Sequence, residues 1–322
     1  MTDARPTVLV LRALGLGDLL TGLPALRLVR AALPRHRVVL ATPDRYAPIA
    51  RLSGIVDATV HGHELEPLRD PPARPELAID LHGNGPQSRA LLGAAGPGRL
   101  VAFGNDGIEW RTDEHEVTRW CRLIRDGLHL THAPDPPVRG SLPVPAADVP
   151  RGATVLHCGA KSGSRRWPPE RLAALAMLLG NRGHDVVITG GPGEGHLAHA
   201  IAAAAGAGVQ CGLDVLQLLA LVAHARLVVS GDTGVAHVAS VYGTPSVVLF
   251  GPVAPALWGP PADRRHQVLW HGDGTGDPHG DGTDPALLRI SVAEVMCACE
   301  RAIAVGVSTL ARGASGHVPV AP

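Results

Sequence analysis

Aromatic side chains make up only 3% of the 322 residues, and Lys161 is the sole lysine among many arginines. With Ala, Gly and Pro abundant throughout, both scarcities reflect a high-GC coding bias before they reflect function. Charge of one sign is not in excess either, because Lys plus Arg and Asp plus Glu stand at 29 each. An even balance offers no broad basic face to a phosphate backbone and argues against nucleic acid as the main partner. Cysteine is sparse and odd in number, 5 residues with no CxxC pair. Neither a disulfide framework nor a structural zinc site is indicated, and a reducing compartment fits. No apolar run approaches the roughly 18–20 residues that span a bilayer, and the short run Val8 to Leu11 lacks the length and flanks of a secretory signal. The expectation is a cytoplasmic protein, with peripheral contact at the inner face of the cell membrane left open.

What is present is hydrocarbon: 45% of the chain is hydrophobic and 18% charged, a composition that builds a core. The length suits two domains of ordinary size. Short β-branched runs alternate with helical stretches, the pattern of parallel strands covered by helices on both faces. Strands are expected at Thr7–Leu11, Arg37–Ala41, Ala78–Leu81 and Leu100–Phe103, then at Ala153–His157, Asp185–Thr189, Leu227–Ser230, Ser246–Phe250 and Gln267–Trp270. Apolar spacings of three and four predict helices over Asp18–Leu33 and Pro168–Arg182. Between the two series, Thr131–Gly152 is crowded with prolines, so domains are expected over 1–145 and 146–322, with a tail after Arg301. Each half opens with a strand and a glycine-bearing loop, Leu14–Gly17 and Gly159–Gly163, which two facing sheets would present across a shared cleft.

The densest signal is Leu227–Ser240 followed by Tyr242–Pro252, which reads strand, polar turn, helix, strand. Asp232 and Thr233 are placed to cap the helix, whose free N–H groups and aligned dipoles suit an anion such as a pyrophosphate. His237 lies one turn further in. The competing description is a capped core helix with a satisfied histidine. Lys161, Arg165 and Arg166 gather cations after a strand and ahead of Pro168; a guanidinium offers bidentate donors to phosphate, and a solvated basic loop is the alternative. Glu194, closing Gly190–Glu194 after another strand, suits a ribose hydroxyl pair or a helix start. Asp18 sits at a strand-to-helix junction, where a carboxylate serves as general base or as a cap. Leu20 stands where the third glycine of G-x-G-x-x-G would be, which disfavours a dinucleotide-dependent dehydrogenase. The stretch His271–Pro285 alternates carboxylates and glycines without the spacing of a calcium loop, so a mobile loop near the cleft is expected in place of a metal site. His61–His63 is read as a loop, and Cys297 and Cys299 as part of a buried helix end.

Asp18 within Gly17–Leu26, Arg165–Pro168 after the strand end His157–Ala160, and Asp232–His237 with Phe250–Pro252 resemble glycosyltransferase family 9, the lipopolysaccharide heptosyltransferases and their relatives, in the right order over roughly Val8 to Arg301. The resemblance implies the GT-B fold, an α/β architecture of two Rossmann-like doubly wound domains facing a central cleft, with the acceptor on the first and the sugar nucleotide on the second. By the same resemblance Asp18 would be the catalytic base. Lys161, Arg165, Asp232, Thr233, Gly234 and His237 would surround the donor diphosphate, Gly17 and Arg166 would also bind the donor, and Glu194 would hold the ribose. The chain departs from the family pattern at Arg165, commonly lysine, and at Cys158, commonly proline. Arg89, Arg111 and Arg119 are candidates for the acceptor side, with solvated surface arginines as the alternative. The implied activity is inverting, metal-independent transfer of a heptose-like sugar from a nucleoside diphosphate sugar, an ADP-heptose-like donor, to a hydroxyl of a glycan or glycolipid, with no cofactor. A sugar-nucleotide epimerase or hydrolase, and a binding protein without turnover, remain as alternatives.

Overall fold

The computed structural model describes residues 5–314, with side chains up to residue 306. The end of the expected tail, residues 315–322, lies outside the described residues. The chain divides between Ala146 and Ala147, with Asp214–Leu216 grouped with the first unit. Residues 131–153, rich in proline, form neither helix nor strand.

In the first unit the order is β1 (Thr7–Leu11), α1 (Leu16–Ala32), β2 (Arg37–Thr42), α2 (Ala47–Ser53), β3 (Ala58–His61), β4 (Leu77–Asp80), α3 (Pro86–Gly93), β5 (Arg99–Val101) and α4 (Glu116–Gly127). Its sheet has the order β3-β2-β1-β4-β5, and every pairing is parallel. Val8, Leu9, Val10 and Leu11 are fully buried, as a central strand covered by helices on both faces requires. Burying each such aliphatic side chain contributes about 1.5–3 kcal/mol. His61 closes β3, so the His61–His63 stretch begins as strand.

The second unit runs β6 (Thr154–His157), α5 (Pro169–Asn181), β7 (Val186–Thr189), α6 (Gly195–Ala205), β8 (Gly208–Gln210), α7 (Val215–His224), β9 (Leu227–Gly231), α8 (Gly234–Tyr242), β10 (Ser246–Phe250), α9 (Pro255–Trp258), β11 (His266–Trp270), α10 (Pro285–Arg289) and α11 (Val292–Ala314). Its parallel sheet is ordered β11-β10-β9-β6-β7-β8. Counted from the start of the unit, that order is 3-2-1-4-5-6 reversed, the doubly wound Rossmann arrangement. Gly206 and Gly243 end α6 and α8 in the left-handed region, with φ 66° at both, where a side chain would be strained. The expected tail after Arg301 is helical as far as α11 extends. Cys299 is buried and Cys297 exposed within α11, toward its start. Among the described residues no helix is long and apolar enough to cross a membrane.

In a doubly wound sheet, ligands sit outside the carboxyl ends of the strands, at the point where strand order reverses. That point lies between β1 and β4 in the first unit and between β6 and β9 in the second.

Candidate functional site

Asp18 occupies the first of these points. It is the third residue of α1, and its Oδ2 accepts the Gly15 N–H at 3.0 Å, closing the first turn. Its Oδ1 lies 3.8 Å from Arg12 Nη2, and the side chain keeps 28% of its surface exposed. The carboxylate therefore ties down the helix start with one oxygen and presents the other. Across the switch point, β4 delivers Asp80 and His82. Asp80 accepts from the His82 N–H at 2.9 Å and from Ser88 Oγ at 2.6 Å, while burial pushes its carboxyl up. Burial first, and the Arg12 charge second, push His82 down to about 4, with Asp18 and Glu64 acting in the opposite sense. The imidazole is neutral at pH 7, and the Ala13 N–H donates to its Nδ1 at 3.4 Å, leaving the ring proton on Nε2.

The candidate acceptor arginines separate. Arg89 donates to the carbonyls of Asn84 and Phe103, at 2.8 and 2.9 Å. Arg119 is buried against Glu116, so it is no surface arginine. Arg111 lines a cavity of about 620 Å³ with Glu109, Arg122, Arg125 and Asp126.

In the second unit, the loop leaving β6 meets the turn leaving β9. Arg165 Nη1 stands 3.4 Å from Asp232 Oδ2, whose side chain is 6% exposed. Gly231 permits this approach, since a Cβ there would sit 2.7 Å from the Arg165 carbonyl oxygen. Thr233 is the N-cap of α8 but makes no side-chain capping bond, and Asp232 faces Arg165. Thr233 Oγ1, Ser230 Oγ, Arg165 Nε and Arg166 Nε are buried without a hydrogen-bond partner. Among the described residues of this unit, no other buried side-chain polar atom lacks one. His237 is buried in α8, its ring 5.9 Å from that of Trp258. Lys161 is exposed.

Glu194 stands at the N-cap of α6, the helix start that is its alternative reading, but its carboxylate makes no capping bond there. It accepts the Gly191 N–H at 2.7 Å, the Ala160 N–H at 3.0 Å and Arg166 Nη2 at 3.1 Å, clasping the loops after β6 and β7. A Cβ on Gly159 would overlap that carboxylate. Beneath the loop, burial pushes His157 down to about 4 and the Cys158 thiol up to about 11, so both are neutral at pH 7.

The His271–Pro285 stretch, expected to be mobile, is docked on the arginine loop. Ser162 Oγ donates to the Pro278 carbonyl at 2.6 Å, the Ser164 N–H to Gly280 at 2.9 Å, and Thr283 Oγ1 to Arg166 at 3.2 Å. Its aspartates bond within their own turns, as Asp273 does with Thr275 and Asp277 with His279. Among the described residues no group of three or more His, Cys, Asp or Glu is placed to hold a metal ion.

Sequence reasoning reaches Asp18, the arginine loop and the Asp232–His237 turn. It misses Arg12, Glu116 and His82; the visible signals are an arginine directly after a buried strand and a histidine two residues past another.

Comparison with known proteins follows the same lines. Lipopolysaccharide heptosyltransferase 3 of Escherichia coli is 29% identical over 164 residues, 48% of this chain and 48% of that protein, so the chain spans about half the length of this curated relative in the match. The structure of E. coli ADP-heptose lipopolysaccharide heptosyltransferase II superposes with a TM-score of 0.76 at 20% identity, over 94% of this chain and 99% of that one. E. coli heptosyltransferase WaaC with ADP gives 0.71 at 20% identity, over 91% and 99%. These likenesses establish the GT-B fold. The description glycosyltransferase family 9 (heptosyltransferase) matches residues 97–276. Since that match takes in more than half of the chain, from the last strand of the first sheet through all strands of the second, the chain belongs to glycosyltransferase family 9.

Proposed function

We propose that the protein transfers a sugar from a nucleoside diphosphate sugar to an acceptor hydroxyl, with inversion and without a metal. The observation that carries this reading is the set of orphaned polar atoms, Thr233 Oγ1, Ser230 Oγ, Arg165 Nε and Arg166 Nε, at the switch point of the second sheet. Buried polar groups without a partner are rare and call for one. Here they accompany two guanidinium groups and the start of α8, a combination suited to a diphosphate. An ADP-linked heptose is the donor we favour, by analogy with the ADP-heptose in the name of the first E. coli enzyme and the ADP in the structure of the second. The acceptor is a glycan or glycolipid, and a lipid-linked acceptor would bring a cytoplasmic enzyme to the inner face of the membrane.

The chemistry is one displacement. The acceptor oxygen attacks the anomeric carbon while its proton passes to Asp18 Oδ1, the oxygen not taken by Gly15. The bond from that carbon to the diphosphate oxygen breaks on the opposite face, and the electron pair leaves with the diphosphate. Arg165, Arg166, Lys161 and the α8 N-terminus, including Gly234, stabilise the charge that develops there. His237 supports the same turn, and Gly17 lets the α1 backbone lie close to the reacting sugar.

Two measurements test the reading. Thr233→Val should weaken ADP binding in calorimetry by about tenfold, the worth of one hydrogen bond to a charged group. Asp18→Asn keeps the contact with Gly15 and should lower turnover by about 10²–10⁴-fold with ADP affinity unchanged. Unaltered ADP binding in Thr233→Val, or product formed from the donor sugar nucleotide with no acceptor present, would overturn it.

A further inference from the structure

We infer that Arg12 is the positioning residue of Asp18, an inference that rests on the reading of Asp18 as base. Arg12 follows β1 directly, and its guanidinium has no exposed surface. A buried guanidinium needs its donors engaged, and here two of the engagements, at Asp18 and Thr21, fix the start of α1. Nε donates to the Asp18 carbonyl at 2.8 Å, Nη1 to the Leu81 carbonyl, and Nη2 to Thr21 Oγ1 at 3.2 Å and Glu116 Oε1 at 3.3 Å. The face of the group lies over Trp120, 4.6 Å from the ring centroid. Thr21 Oγ1 in turn donates to the Asp18 carbonyl at 3.0 Å. The backbone of Asp18 is thus held from two sides, and Arg12 Nη2 lies 3.8 Å from its carboxylate.

Charge makes the arrangement directional. Glu116 is shared by Arg12, Arg119 and the Trp120 Nε1–H, the last at 2.7 Å. Two guanidinium groups against one carboxylate leave a surplus positive charge inside the unit, and Asp18 is the nearby carboxylate that balances it. A core arginine whose only task was to fill space would have no need to reach the residue that meets substrate. The fork of Arg12 links β1, the end of β4 at Leu81, α1 and α4, so the position of Asp18 is set by four elements at once.

A purely structural Arg12 would also matter to the protein, so the test must separate the two. Arg12→Lys keeps the charge and loses the fork. It should lower kcat by about 10–10²-fold, the range expected when a reacting group is displaced by about an ångström, with the donor KM within about twofold. In the Asp18→Asn background, where there is no base to position, the same substitution should change kcat by less than about twofold. Thr21→Val, which leaves both buried charges in place, should show the same dependence on Asp18 with a smaller effect, and it decides the matter if Arg12→Lys does not fold. An equal fall in kcat in both backgrounds would overturn the inference and leave the base reading intact. Undiminished turnover in Asp18→Asn alone would remove the base reading itself.

Discussion

Replacing Gly163 by alanine tests whether the acidic, glycine-rich loop is held on the arginine loop. A Cβ at this position would overlap the carbonyl oxygen of Asp281, and that oxygen belongs to backbone, which cannot swing aside as the tip of a side chain can. The two loops must therefore part. The shorter bonds beside the clash are Ser164 N–H to Gly280 at 2.9 Å and Ser162 Oγ to Pro278 at 2.6 Å; the Asp284 N–H to the Ser164 carbonyl at 3.3 Å and Thr283 Oγ1 to Arg166 at 3.2 Å are longer. Each is worth about 0.5–1.5 kcal/mol net. Losing the shorter two costs about 1–3 kcal/mol, less whatever water recovers at the exposed edges. For a unit of this size the melting temperature should fall by roughly 2–4 °C per kcal/mol. Gly180→Ala serves as the control, because it lies in α5 with no atom near a new Cβ and should be neutral or slightly stabilising. Differential scanning calorimetry on both variants gives the comparison, and ADP titration on the same preparations tells whether the arginine loop moved. A Gly163→Ala protein that melts with the parent would mean that the docked loop contributes nothing.

Acid should destabilise the fold before its carboxylates titrate. His82 and His157 fall from an ordinary 6.5 to about 4 on folding through burial, so between those values the unfolded chain binds more protons; their contribution is complete above pH 6.5 and is lost as pH falls toward 4, by at most about 2 kcal/mol each at pH 5. Asp80, pushed up by burial, works in the opposite sense, and the measurement is melting temperature from pH 8 to 5, where a flat profile, or one that His157→Asn leaves unchanged, refutes the assignment. Glu194→Gln should lower stability by about 1–3 kcal/mol and weaken ADP and inorganic pyrophosphate equally, because the carboxylate holds two loops together. A loss confined to ADP would instead place Glu194 on the ribose.

The strands legible in the sequence include those buried on both faces, such as Val8–Leu11 and Ser246–Phe250, where apolar runs stand between breakers, and two outer strands, β5 and β11. Two others are not. Ala58–His61 and Gly208–Gln210 form the outer strands β3 and β8, half exposed and without an apolar run. An edge strand is held by pairing with its neighbour, and that pairing leaves little trace in its own residues. The same limit explains the site. Asp18, Arg165 and Asp232 stand out locally because each follows a strand within or just after a glycine-bearing turn. Glu116 is 104 residues from Arg12, and nothing near either residue announces the other.

Strand order turns those local signals into a site. The sequence shows several strand–loop–helix units and singles out Asp18, the arginine loop and the Asp232 turn by residue type, but it does not show the strand order that sets them at the points of reversal. Once β1 lies beside β4 and β6 beside β9, the segments leaving these four strands flank the points of reversal, and they contain Asp18, His82, Arg165 and Asp232. The glycines then take on distinct meanings. Gly231 is required by the carbonyl of Arg165, Gly159 by the carboxylate of Glu194 and Gly163 by the carbonyl of Asp281, so all three serve the packing of one loop on another. A glycine-rich stretch of this kind resembles a phosphate cradle in sequence, yet its glycines set where the cations stand. The groups left to meet a diphosphate are the side chains those glycines hold in place: Arg165, Arg166, Thr233 and Ser230.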